Sequence, residues 1–414
     1  MIRRLLDLYV PASKAGRAFA VIALFDSTGT GFYLAGSAIF LVRVVGLTQA
    51  QVGVGLGVTG ATALAATVPL GVLTDRIGAR RALVAFQLWR AVFFTILAFI
   101  HGPVAFILVG ACLGLVERAV SPATQAVVGA AVPDSDRTRA MATVRSVRNI
   151  GFSVGAALTA PLVATESVAA YRSVILANAV SFVAASAMLL RLRVHTPPAS
   201  TGRAGLAFLQ GFGDWRYLCL TGLNSILTIH ITLLAVALPL WTLRDTDAPA
   251  GLIPLLVVLN TILAVVFQVP LSRGATDAAG SLRALRLAGV CLMGCCAAMA
   301  AAGAPLGAAY AAALLVLATL LLTGGELWQS AGAWTLSYRY ALEDRRGEFL
   351  SIFALGPALQ NVLGPILVTI VVLDQGVAGW AILAAILAAA VAVLRVCVYE
   401  LERDPARHEL LQKD

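Results

Sequence analysis

Three carboxylates and two guanidiniums stand inside long apolar stretches of this chain: Asp26, Glu117 and Glu326, with Arg90 and Arg118. An ionisable group in such surroundings either pairs with its opposite or exchanges a proton, because desolvation penalises the charged form. Three acids against two arginines leave one acid without a fixed cation. A group of that kind binds a proton in one state and releases it in another. Arg118 follows Glu117 directly, and neighbours on a helix diverge by about 100°, so the two cannot share one direction. Asp26 and Glu326 are therefore the expected proton carriers, with Glu117 held by Arg118 or Arg90. The plainer reading is that all three acids only hold helices in register.

Aromatic and amide residues cluster around these charges. Phe25 and Tyr33 flank Asp26, while Trp328 and Gln329 follow Glu326. Asn224 and His230 share a later stretch, six residues and about 240° apart on a helix, so only one of them would face a shared cavity. A lone histidine on an apolar helix is commonly a packing residue. Apolar walls with few polar groups suit lipophilic or amphipathic molecules, and a buried acid attracts a cation among them. Trp241, Trp334 and Trp380 lie near stretch ends, where interfacial aromatics are expected. Cys291, Cys295 and Cys296 offer soft-metal chemistry, but small residues at helix contacts are the expected role.

The elements that must position these groups follow from composition. The chain is 60% hydrophobic and 12% charged, where a soluble domain carries about a quarter charged residues. Twelve apolar stretches, each long enough to cross a core of ~30 Å as a helix, fall at 18–42, 51–73, 82–101, 103–128, 149–165 and 173–190, then 217–241, 251–271, 287–303, 307–334, 349–373 and 376–397. The fold class is an all-α polytopic membrane protein. A barrel would alternate in polarity. The charge of +9 is distributed along the even-to-odd loops and termini, with only Arg43, Arg172 and Arg244 on the other side. That asymmetry places both termini in the cytoplasm and excludes a nucleic-acid role for the basic excess. No cleavable signal is expected, since the first apolar run is long and contains Asp26.

A charged turn repeats at half the chain length. Gly71, Asp75, Arg76, Gly78, Arg80 and Arg81 lie between the second and third stretches, and Asp277, Gly280 and Arg283 echo them between the eighth and ninth. Glu117 precedes Asp134 and Arg137 at the offsets by which Glu326 precedes Glu343 and Arg346. The halves are parallel repeats: a first bundle at 1–192, a polar cytoplasmic linker at 193–216, a second bundle at 217–400 and a tail at 401–414. Arg76, Arg80 and the first glycine are replaced in the second copy, so only the first half keeps the full turn.

The run Gly71-x-x-x-Asp75-Arg76-x-Gly78-x-Arg80-Arg81 resembles the signature loop of the major facilitator superfamily, and the two-half organisation extends the likeness over the whole chain. The resemblance implies two six-helix bundles around a cavity that opens alternately to each side, lined by the first, fourth, seventh and tenth spans. It also implies that Asp75 engages the start of span 11, near Glu343, Asp344 and Arg345, when the cytoplasmic gate is shut. Gly151-x-x-x-Gly155 is similar to part of the antiporter motif, though Ala156 and Thr159-Ala160 stand where that motif continues with Pro and Gly-Gly. The chain thus looks most like bacterial drug:proton antiporters: a monomer of the inner membrane, exchanging protons for small lipophilic or cationic compounds, contacting lipid and needing no cofactor. The alternatives are a proton-coupled importer of a small metabolite and a non-transporting receptor of the same fold. No metal-ligand run, phosphate loop or sizeable soluble domain suggests an enzyme.

Overall fold

The computed structural model describes residues 11, 13–163, 165, 167–192 and 211–403. Most of the expected linker and tail lies outside them. Among the described residues the chain forms twelve helical rods. They are α1 (Lys14–Arg43), α2 (Gln49–Ile77), α3 (Ala79–Leu97), α4 (Gly102–Ala131), α5 (Asp134–Val163), α6 (Val168–Arg191), α7 (Trp215–Asp245), α8 (Leu252–Ser272), α9 (Ala278–Ala302), α10 (Ala308–Arg339), α11 (Arg346–Leu367) and α12 (Val377–Glu402). Ten of the helical stretches are long and apolar enough to cross a membrane. The other two, α3 and α5, carry Arg80, Arg81 and Arg90, and a charged first half, respectively. Apolarity marks how much of a helix is greasy, not where it ends: α5 begins well before the apolar run at 149–165, because arginine and alanine propagate a helix well.

Three rods are interrupted. α4 breaks at Arg118–Ala119, directly after Glu117. α7 breaks at Thr228–Ile229 and widens into a π-turn at Leu233–Ala237. α11 continues as a π-helix, Val368–Leu373, just after Pro365, whose missing N–H disturbs the ladder.

The chain divides into two compact units. The first contains α1–α6 and also residues Ala341–Ala354, the opening turns of α11. Its tightest crossing is α1 on α5: a Cβ on Gly155 would lie 2.1 Å from Thr28 O, and one on Gly31 would lie 2.5 Å from Phe152 O. Small residues let backbones approach where no water drives association. Behind this crossing Phe40, Phe94, Phe106, Tyr171 and Phe182 form the core. In the second unit α9 pairs with α10 through Gly325 and Gly332, and α12 closes on α9 at Gly289. Trp241 and Trp380, expected in an interfacial belt, are fully buried within the protein. They meet edge-on with centroids 5.6 Å apart, and the Trp241 indole donates to Met299 O at 2.6 Å. A buried indole N–H usually finds an acceptor, as that of Trp241 does here.

Candidate functional site

In the first unit the expected charges converge. Asp26 on α1 is buried, and its Oδ1 accepts from Gln87 Nε2 at 2.9 Å and from Arg90 Nη1 at 3.2 Å, both on α3. Arg90 Nη1 also donates to Gln87 Oε1 at 2.9 Å, closing a triangle. The guanidinium carbon sits 3.8 Å from the centroid of the Phe182 ring on α6. A positive charge over an aromatic face in dry surroundings gains about 2 kcal/mol. Arg90 thus has a carboxylate, an amide and a π-face around it.

Glu117 joins this group loosely, with Oε2 4.0 Å from Arg90 Nε. It is not a buried acid: its side chain is 54% exposed, although Val116 before it and Ala119 in the break after it are buried. The strong partner of Arg90 is therefore Asp26 rather than Glu117. Arg118, within the break, is half-buried. Phe25 is exposed beside Asp26, whereas Tyr33, two turns on, packs edge-on against Phe94 at 4.8 Å as part of the core.

The charged turn has a defined target. Asp75, in the last turns of α2, accepts the Gly347 N–H at 2.5 Å on Oδ1 and the Glu348 N–H at 2.8 Å on Oδ2. These amides belong to the first turn of α11, where N–H groups have no intrahelical acceptor and the helix dipole favours an anion. Gly71 lies against the same turn: a Cβ there would be 2.6 Å from Gly347 O and 2.2 Å from Ser351 Oγ. Gly78 has φ of 88°, the left-handed turn that lets α3 start directly after α2. Arg80 caps α6, donating from Nε to Leu189 O at 3.0 Å and from Nη2 to Leu190 O. Arg76 and Arg81 are exposed. The second copy does a local job instead. Asp277 is the N-cap of α9, accepting from Gly280 N at 2.6 Å.

The second unit holds a separate polar interior. Gln329 on α10 donates to Asn224 Oδ1 at 2.6 Å, and its Oε1 lies 3.4 Å from His230 Nε2. Asn224 and His230 therefore do reach one partner; the break at Thr228–Ile229 between them resets the helical phase on which their separation rested. Glu326, buried, accepts from Asn260 Nδ2 at 3.1 Å, and the same nitrogen donates to Thr323 Oγ1 at 3.0 Å. Trp328 is not with them: about 100° from Gln329, it packs on Ala275, Ala284 and Ala331.

Residues 18–341 match the family described as Major Facilitator Superfamily. The chain belongs to that superfamily. No curated protein matches it in sequence. Among solved structures it is similar to a bacterial homologue of the iron transporter ferroportin in an outward-facing state, at 17% identity and a TM-score of 0.70, over 95% of this chain and 100% of that one. It is also similar to the Major Facilitator Superfamily transporter FucP in the outward conformation, at 12% identity and a TM-score of 0.67, covering 96% and 100%. A third, the nucleoside transporter NupG, gives 14% and 0.50, covering 93% and 99%. At these identities the likeness is one of fold. Residues that the sequence did not single out also join these hydrogen-bonded groups, namely Gln87, Asn260 and Glu348. Gln87 stands one helical turn from Arg90, which was the available signal; a buried amide next to a buried charge usually serves it.

Proposed function

We propose that this chain is a secondary active transporter of the bacterial inner membrane, with both termini cytoplasmic, that exchanges protons for small lipophilic or cationic compounds by alternating access. The observation that carries the reading is the buried triangle of Asp26, Gln87 and Arg90. Ionised Asp26 holds Arg90, whereas protonated Asp26 no longer does. Arg90 then keeps Gln87 and Phe182, and Glu117 is the acid nearest to receive its charge. A proton on Asp26 is thereby converted into movement of a cation within the first unit, the step a proton-coupled carrier needs. A positively charged substrate competes for the same carboxylates. The partial antiporter motif at Gly151 and Gly155, here the α1–α5 crossing, favours export.

In this reading Asp75 is a latch on α11 that is broken and remade in each cycle, with Gly71 permitting the close approach. Glu326, buried beside Asn260, is the second candidate proton carrier. The amide and imidazole set of Asn224, His230 and Gln329 favours a second reading, proton-coupled uptake of a small polar metabolite, because such groups reward a ligand with several hydrogen-bonding atoms. Expression in an exporter-deficient bacterium, screened against a compound panel with and without a proton uncoupler, separates the two. Export raises tolerance to at least one compound, and the uncoupler removes the gain. Unchanged tolerance throughout, with uptake of a polar solute, would replace the first reading with the second.

A further inference from the structure

The start of α11 cannot cap itself. A self-contained capping box has a serine or threonine at the N-cap, whose oxygen takes an N–H of the first turn, and a glutamate three residues on, which reaches back to the N-cap N–H. Here a 3-10 turn, Glu343–Arg345, runs directly into Arg346, and neither Leu342 before that turn nor Arg345 before α11 offers a side-chain acceptor. The missing oxygen comes from Asp75 on α2, which takes the Gly347 and Glu348 N–H groups. The glutamate is present as Glu348, but its carboxylate points elsewhere. Oε1 accepts the Gly211 N–H at 3.0 Å, and Oε2 accepts from Arg345 at 2.8 Å from Nε and 2.5 Å from Nη2. Glu348 is 2% exposed. Gly211 is fitted to it: a Cβ there would lie 2.7 Å from Glu348 Oε1 and 2.5 Å from Ile352 Cδ1.

We infer that Glu348 is a positioning residue that completes a capping box split over three stretches of chain, tying the end of the segment connecting the two halves, at Gly211, to the turn that Asp75 grips. The inference rests on the reading of Asp75 as a latch. Glu348 presents its own N–H to Asp75 only while its side chain is held by Gly211 and Arg345. Release of α11 from α2 and release of residue 211 from α11 are therefore one event.

The test is amide hydrogen exchange on the full-length protein in nanodiscs, resolving Gly211 and the 347–348 pair, with transport measured alongside. Glu348→Ala raises exchange at 347–348 by about tenfold or more although Asp75 is intact, since a hydrogen bond to a charged partner is worth at least that factor. It also deprotects Gly211. Asp75→Ala deprotects 347–348, and the double variant is no faster there than the worse single one. Glu348→Gln keeps an acceptor for Gly211 and loses the Arg345 ion pair. Its 347–348 exchange, like that of Arg345→Met, falls between wild type and Glu348→Ala. These two milder variants carry the test if Glu348→Ala does not fold. Wild-type exchange at 347–348 in Glu348→Ala, or in both milder variants should it not fold, overturns the inference. If Glu348→Ala deprotects 347–348 while Asp75→Ala transports at the wild-type rate, the positioning role stands and the latch reading falls.

Discussion

Replacing Asp75 by asparagine isolates the charge and geometry of the α2–α11 contact from its volume. Two α11 amides now donate to two carboxylate oxygens, at 2.5 and 2.8 Å. Asparagine keeps one acceptor and turns an NH2 group toward the second amide. The variant loses one charge-assisted bond, about 1.5–3 kcal/mol net, and the attraction of an anion to the helix terminus, about 0.3–1 kcal/mol. Their sum is roughly 2–4 kcal/mol in favour of the released state, a shift of roughly 30- to 700-fold in the equilibrium at about 1.4 kcal/mol per decade. Spin labels at Leu73 and Glu343, both exposed, in a cysteine-free background report the separation of α2 from the α11 start. Wild type shows one short distance, and Asp75→Asn populates a longer one. An unchanged distance distribution with wild-type transport would refute the reasoning, because the carboxylate would then bias nothing.

Two further expectations concern energetics. Asp26→Asn leaves Arg90 buried without its anion, a loss of about 3–5 kcal/mol for a broken buried pair, tempered by Gln87 and Phe182. The variant melts lower than wild type, and Arg90→Gln added to it recovers part of the loss in a thermal-shift measurement. Gly71→Ala forces a Cβ to 2.6 Å from the Gly347 carbonyl oxygen, where overpacking costs about 1–3 kcal/mol. It weakens the same α2–α11 contact as Asp75→Asn, and the labelled pair separates in it too.

The sequence carried the twelve rods and the two halves, because apolar length and an internal repeat can be read along the chain, whereas it offered Arg90 to Glu117 and the strong partner of Arg90 is Asp26. The target of Asp75 was legible to within a few residues through the family likeness. What was not legible depended on breaks and on tertiary partners. The break at Thr228–Ile229 lies between Asn224 and His230, which share one partner, and the Glu117 side chain is 54% exposed although its helix is apolar. Trp241 and Trp380 pack edge-on against each other, and Trp241 donates to Met299 O. Glu348 gave no signal, since a glutamate in a first helical turn looks like ordinary dipole compensation until Gly211 is seen to be its partner.

The central claim is that a proton on a buried acid drives transport. Purified protein in proteoliposomes, given an imposed pH gradient and a compound identified in the panel, tests it directly. The account predicts accumulation against the compound's own gradient with matching proton counterflow. Asp26→Asn should abolish this but still allow exchange down the gradient, and Glu326→Gln should diminish the proton flow. Accumulation indifferent to the pH gradient, or undiminished in Asp26→Asn at equal incorporation, would contradict it.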